Sequence, residues 1–211
     1  MSIKITTLVE NSVYGKGLQG EHGLSLLVDT GEHRLLFDTG ASDLFIRNAR
    51  ILGIDLKEVD FLVLSHGHRD HTGGLHHFLA VNDKAQVVCK RELFRPKFKD
   101  ERENGVMQPD ALDSTRFRFV DEVTELCRGV FVFPQLPVTD EEDTHFEHFF
   151  TWAEGRKQAD TFTDELALVL KQDAEVSVLS ACSHRGITNI IRAVQEYFPQ
   201  TSLKLVLGGF H

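Results

Sequence analysis

The sequence has 211 residues and a net charge of −9, with 41% hydrophobic and 26% charged residues. This length supports one sizeable core, so we expect a single domain over residues 1–211. The acidic balance argues against a nucleic-acid partner, and no apolar run approaches the ~20 residues that cross a bilayer. The N-terminus lacks the features of a signal peptide, and the three widely spaced cysteines fit a reducing compartment, so we expect a cytoplasmic protein.

Runs of alternating or continuous apolar residues predict strands in the first half of the chain. They lie at 3–9, 24–28, 34–37, 61–64 and 85–89. Apolar residues at helical spacing predict helices over 42–52 and 72–81, the first of them capped by Ser42. Charges then crowd together at about 90–118, which predicts an insertion over the sheet.

The second half returns to strand patterns at 116–120, 129–133, 166–170, 176–180 and 203–207, with an amphipathic helix over 187–194. The acidic run at 140–143 predicts an exposed loop. His145 and His148 follow it at a spacing that metal ligands use, but the acidic surroundings favour solvent-exposed side chains. His76 and His77 are interpreted as residues on the surface of the predicted helix 72–81.

The chemistry of the chain is concentrated in the segment S-H-G-H-R-D-H, residues 65–71, directly after the apolar run 61–64. Imidazole nitrogens and carboxylate oxygens are the ligands that zinc, iron and manganese share. His66 and His68 lie two residues apart, so they point the same way in an extended segment. Asp70 and His71 follow a turn and can face a second position. The segment therefore predicts ligands for two adjacent metal ions.

Two later strands also end in histidine. The run 176–180 leads into Cys182-Ser183-His184, and the run 203–207 leads into Gly208-Gly209-Phe210-His211. One such histidine is ordinary in a protein core. Three strand ends that each deliver a histidine favour a shared site.

These motifs resemble the metallo-β-lactamase superfamily. His66 to His71 resembles its H-x-H-x-D-H signature, and Phe37-Asp38-Thr39-Gly40 resembles its F-D-T-G turn. The segments 181–186 and 208–211 resemble motifs of the branch labelled dihydropterin–aminobenzene phosphate synthase-like, or metal-dependent hydrolase. The resemblance extends from about Leu8 to His211. It implies a four-layer αβ/βα sandwich in which two sheets pack face to face with helices outside.

The resemblance also implies a dinuclear metal site with two divalent ions, most simply zinc, with manganese or iron as alternatives. His66, His68 and His184 are expected to hold one ion, and Asp70, His71 and His211 the other. Asp70 is the expected catalytic residue, which orients a metal-activated water. Asp38 is expected to hydrogen-bond backbone or a ligand histidine, and a plain turn aspartate is the simpler alternative.

The chain departs from the family pattern in two places. It lacks a lone histidine before the hairpin 166–180 and a bridging aspartate after it, so Asp164 or Glu165 is a candidate to fill the gap. Cys182 is either a thiolate ligand or a core residue. Members of the branch continue past G-G-F-H to an H-C-T-G motif, so we expect a shortened or truncated member.

The expected function is metal-dependent hydrolysis, or a related transfer, on a small anionic substrate that is phosphorylated or pterin-like. Basic residues of the insertion are candidate substrate contacts, with a solvated charged loop as the alternative; they are Arg91, Arg95, Lys97 and Lys99. Two other classes compete with hydrolysis: a catalytically silent metal-binding or regulatory protein, and a di-iron redox protein. Di-iron members usually carry Glu at the position of Gly67. The oligomeric state is not predicted.

Overall fold

A computed structural model describes residues 3–106 and 114–210 of the chain. The strands are β1 (Lys4–Val9), β2 (Ser25–Asp29), β3 (Arg34–Phe37), β4 (Phe61–Val63), β5 (Gln86–Cys89), β6 (Lys97–Lys99), β7 (Arg102–Glu103), β8 (Phe117–Phe119), β9 (Thr124–Cys127), β10 (Val130–Phe133), β11 (Phe149–Ala153), β12 (Arg156–Ala159), β13 (Ala167–Gln172), β14 (Glu175–Ser180) and β15 (Ser202–Gly208). The helices are α1 (Leu44–Ile51), α2 (Arg69–Thr72), α3 (Leu75–Val81) and α4 (Ile187–Tyr197).

Two large sheets form the middle of the molecule. The first has six strands in the order β1-β2-β3-β4-β5-β8, and the second has five in the order β15-β14-β13-β10-β9. In the first sheet β3, β4, β5 and β8 run parallel, so their carboxyl ends lie at the same edge. β14 in the second sheet is parallel to β15 and ends just before Cys182. The segments that follow β4 and β14 are the ones that carry histidine.

Alternation along the strands builds three apolar layers. Leu36 of β3 packs with Phe45 of α1 and Phe78 of α3 on the outer face of the first sheet. Leu35 and Phe37, its neighbours on the same strand, pack against the second sheet in the layer between the sheets. A third layer joins β13 and β14 to Ile190 and Val194 of α4. The predicted four-layer α/β sandwich is therefore confirmed.

A third, smaller sheet was not anticipated from the sequence. It has the strand order β12-β11-β6-β7 and joins the charged segment 97–103 to residues 149–159. Three of its strands are short and rich in charged residues, and the fourth, β11, is a five-residue segment without apolar alternation. The expectation of an insertion over residues 90–118 remains a prediction, because residues 107–113 lie outside the described part of the chain.

Within the described ranges, no helix is both long enough and apolar enough to span a membrane.

Candidate metal centre

Asp38, which follows β3, forms hydrogen bonds with the segment after β4. One Asp38 oxygen accepts hydrogen bonds from the Ser65 hydroxyl at 2.7 Å and from His71 Nδ1 at 2.8 Å, and the other accepts the Ser65 backbone N–H at 2.7 Å. Asp38 is fully buried and has a left-handed φ of 61°, a conformation that costs energy in a residue other than glycine. Asp38 thus contacts a predicted ligand histidine, as the sequence led us to expect.

Hydrogen bonds fix which nitrogen of three histidines carries the proton. The Ser65 hydroxyl donates to Asp38, so His66 Nδ1 donates to Ser65 Oγ at 2.8 Å. His71 Nδ1 donates to the Asp38 carboxylate, and His184 Nδ1 donates to the carbonyl of His145 at 3.0 Å. When these rings are neutral, each therefore keeps its lone pair on Nε2. Such partners behind a ring are typical of metal-binding histidines.

His66, His68 and His184 converge on one point. Each offers a ring nitrogen, and the three ligand atoms lie within 4.8 Å of one another. All three side chains are buried, with exposures of 0%, 3% and 0%. Nε2 of His66 and Nε2 of His68 are buried without any hydrogen-bond partner, an arrangement that costs stability unless something binds there. Nitrogen donors at this spacing fit a divalent metal ion.

The pKa values of His66 and His68 favour the neutral imidazole that binds a metal ion. Burial and the neighbouring histidines hold the pKa of His66 well below its ordinary value of 6.5. Burial likewise lowers the pKa of His68 from 6.5 to about 3. Both rings are therefore neutral at physiological pH, which is the form that binds a metal.

A second donor group lies beside the first and consists of His66, His71 and Cys182, again with ligand atoms within 4.8 Å of one another. Cys182 Sγ is 3.1 Å from His71 Nε2, and Asp70 Oδ2 is 3.3 Å from the same nitrogen. His66 belongs to both groups, so the two candidate positions are adjacent. The structure thus brings Asp70 and His71 together as predicted and adds Cys182. His211 lies outside the described residues.

His71 and Cys182 of the second group hold their protons more firmly than His66 and His68 do. Burial favours neutral His71, but Cys182, Asp38 and Asp70 around it raise the pKa of His71 well above 6.5. Burial opposes ionisation of Asp70, yet the hydrogen bond and charge of His71 lower the pKa of Asp70 below its ordinary 3.8. Burial also raises the pKa of the Cys182 thiol. A metal ion at this position has to displace protons, so its affinity depends on pH.

The donor groups open into a cavity of about 400 Å³. One side carries the cationic residues Arg69, Lys99 and Arg102, and Phe149 and Phe210 supply apolar surface. Among the described residues, none of the three cations forms an ion pair with a carboxylate. Of the four basic residues singled out from the sequence, Lys99 alone lines this cavity.

The other three basic residues are engaged elsewhere. Arg91 lies over the ring of Phe119 at 4.1 Å, and Arg95 is 3.7 Å from Glu92. Lys97 is 2% exposed and pairs with Asp160 at 2.7 Å and Asp164 at 2.8 Å. The interpretation of Lys97 as either a substrate contact or a solvated residue is therefore wrong. Its two partners lie 63 and 67 residues away in sequence, so local pattern gives no sign of them.

Four other histidines considered from the sequence belong to neither donor group of the described chain. The His145 carbonyl accepts a hydrogen bond from His184 Nδ1, and the His145 N–H donates to the His184 carbonyl at 2.8 Å. His148 has a 70% exposed side chain and contacts Asp100 at 3.1 Å. His76 and His77 are neighbours on α3, with ring centroids 3.8 Å apart and ring planes tilted by 39°. The 145–148 spacing therefore marks a loop that supports His184 through its backbone.

Asp164 and Glu165 do not fill a gap in either donor group of the described chain. Asp164 accepts the Gly67 N–H at 2.7 Å, and Glu165 accepts the backbone N–H groups of His184 and Arg185. Both carboxylates act on the backbone of the ligand-bearing segments. Their place directly before a buried strand is the one sequence signal that could have suggested this role.

The sequence model of the metallo-beta-lactamase superfamily matches residues 18–164. The chain belongs to this superfamily.

Three proteins similar to this chain show which members of the superfamily it resembles. The 7,8-dihydropterin-6-methyl-4-(beta-D-ribofuranosyl)-aminobenzene-5'-phosphate synthase of Methanocaldococcus jannaschii is 29% identical over 231 positions, which cover all of this chain and 78% of the relative. An uncharacterized protein of the same organism is 30% identical over 213 positions, covering 98% of this chain and 78% of the relative. A crystal structure of a metal-dependent hydrolase of the beta-lactamase superfamily is 34% identical with a TM-score of 0.84, covering 100% of this chain and 77% of that one. The resemblance inferred from the motifs is thereby confirmed.

Proposed function

We propose that this protein is a metal-dependent hydrolase, or a related transferase, that acts on a small anionic substrate. One observation carries the proposal: three buried histidines direct ring nitrogens to one point at the floor of a cavity, and two of these nitrogens have no other partner. The names of two relatives support this proposal. One is a synthase whose named compound contains a dihydropterin and a 5'-phosphate, which supports the substrate class, and the other is a metal-dependent hydrolase, which supports the reaction type.

In this proposal His66, His68 and His184 hold the first divalent ion, and Asp70, His71 and Cys182 hold the second, with His211 as a further candidate. Zinc suits the nitrogen and sulfur donors, and manganese or iron is the alternative. Bound metal would supply a Lewis acid and a water with a pKa near 7. Adjacent donor groups that share His66 support a dinuclear centre.

The protein's own side chains would bind and orient the reactants. Asp70 Oδ2 lies between His71 Nε2 and His22 Nε2, at 3.3 and 3.4 Å, and lines the cavity where a nucleophilic water would sit. We assign it the role of orienting that water. Lys99, Arg102 and Arg69 would bind the negative group of the substrate, and Phe149 and Phe210 would cover an apolar or aromatic part and limit access of bulk water.

The test compares the zinc-loaded protein with His68→Ala on generic phosphodiester and lactone substrates. We expect His68→Ala to lose more than the ~10–100-fold that removal of a ligand-orienting partner costs, because it removes a ligand itself. His76→Ala is the matched control, since His76 lies on α3 beside His77 and away from the cavity. Equal rates in His68→Ala and wild type would end the hydrolase proposal.

Metal analysis of the purified protein separates the competing classes. About two zinc or manganese ions per chain would support hydrolysis. Iron with redox activity would favour a di-iron protein, and a chain that takes up no metal would favour a silent regulatory member.

A further inference from the structure

Three consecutive residues before β13 contact both segments that carry the first donor group. Asp164 Oδ2 accepts the N–H of Gly67, the residue between His66 and His68, at 2.7 Å. The Leu166 N–H donates to the Ser65 carbonyl at 2.9 Å. These two bonds fix the backbone on either side of His66.

Glu165 reaches the opposite segment. Its Oε1 accepts the His184 N–H at 2.8 Å, and its Oε2 accepts the Arg185 N–H at 2.7 Å. Both oxygens are therefore used, and the residue is 1% exposed. Because Asp164 and Glu165 are adjacent, one turn sets the distance between the segment 65–68 and the segment 184–185.

A buried lysine forms ion pairs with Asp164 of this turn and with Asp160 just before it. Lys97 Nζ donates to Asp164 Oδ1 at 2.8 Å and to Asp160 Oδ2 at 2.7 Å. Asp160 in turn accepts the Phe162 N–H at 2.8 Å, within the same loop. Asp160 and Asp164 share one counter-ion, but within the described residues the Asp160 side chain bonds only to Lys97 and to the Phe162 N–H. This difference makes Asp160 a matched control.

We propose that residues 164–166, the positioning turn, hold the three histidines of the first donor group at metal-binding distance before any ion arrives. The proposal rests on the proposed function in that it takes these histidines as ligands. Asp164 and Glu165 are positioning residues, since they belong to neither donor group of the described chain and bind the backbone of the ligand-bearing segments. Asp164 and Glu165 accept backbone N–H groups from both ligand-bearing segments, so two adjacent side chains on one turn leave the ligands little freedom.

The experiment measures zinc affinity by competition with a chromophoric chelator in Asp164→Asn, Glu165→Gln and Asp160→Asn. We expect Asp164→Asn and Glu165→Gln each to weaken the first zinc about 10–100-fold, the range for loss of a ligand-orienting partner. Asp160→Asn should change it far less. The visible absorption spectrum of the cobalt-substituted protein should change in the first two variants and stay the same in the third, because it reports ligand geometry.

Amide hydrogen exchange of the metal-free wild type provides a test that needs no variant to fold. The amides of Gly67, His184 and Arg185 should exchange slowly without metal, because carboxylates already hold them. Fast exchange at these amides, unchanged zinc affinity in both turn variants, or an equal loss in Asp160→Asn would each overturn the proposal. A wild type that binds no zinc, yet protects these amides, would instead contradict the proposed function.

Discussion

The two donor groups open into one cavity but differ in the solvent exposure of the side chains around them. His66, His68 and His184 are almost fully buried, and backbone or side-chain partners fix their segments from behind. Beside the second group, the Asp70 side chain is 16% exposed and contacts His22, whose side chain is 83% exposed. The first position is therefore enclosed by buried side chains, whereas the second has partly exposed groups, Cys182 and the neighbouring Asp70, next to it. We therefore expect substitutions behind the first group to change stability, and substitutions on the exposed lining of the cavity to change substrate binding.

The largest expected effect comes from Lys97, which lies behind the first group. Lys97→Met would leave Asp160 and Asp164 buried without their cation, so we expect the free energy of unfolding to fall by about 3–5 kcal/mol. Chemical denaturation measures the change. Lys157→Met on the same small sheet is the control, because its partner Glu101 is 98% exposed, and it should cost at most about 1 kcal/mol. Similar losses in both variants would show that the buried pair is not special.

The loss in Lys97→Met should also depend on pH. Burial raises the pKa of Asp160 even beside Lys97, and without the lysine this pKa rises further. A carboxyl whose pKa is raised by folding destabilises the protein where it is ionised, so stability falls as the pH rises. We therefore expect a smaller difference between variant and wild type at pH 5 than at pH 8. A difference that grows on acidification would contradict this account.

A smaller effect should follow from Cys182→Ser in the second group. Replacing sulfur by a poor metal ligand should weaken the second zinc about tenfold or more and leave the first unchanged. Calorimetric titration of the metal-free protein resolves the two ions. Cys127→Ser is the control, because Cys127 packs between the sheets on β9, outside the cavity. Equal weakening of both ions would remove the distinction between the groups.

The smallest effect concerns the cationic side of the cavity. Lys99→Ala and Arg102→Ala should each raise KM for an anionic substrate a few-fold, with kcat and stability nearly unchanged, because exposed charges act mainly on binding. The effect should shrink at high salt. Arg91→Ala, whose guanidinium lies over Phe119, should leave KM unaltered. A fall in kcat at constant KM would assign these residues to the chemistry instead.

Sequence patterns predicted the strands of the two large sheets except β9, and all three histidines of the first donor group. The apolar run 61–64 predicted both a strand and its abrupt end, and the strand 176–180 did the same for His184. Strands β6, β7 and β12 of the small sheet and the buried Lys97 escaped prediction, because charged residues on short strands resemble a solvated loop. Asp164 and Glu165 were noticed as carboxylates, but their backbone partners come from segments that only the fold brings near.

Gly67 limits how this site can be altered by evolution or design. A Cβ at this position would lie 2.3 Å from the Leu93 carbonyl oxygen and 2.8 Å from the Lys97 side chain. A glutamate here, the residue usual in di-iron relatives, would require the backbone at Leu93 and the buried lysine to move together. A design for oxygen chemistry in this scaffold should therefore begin by rebuilding the 93–97 segment, since a single substitution at position 67 would clash with Leu93 and Lys97.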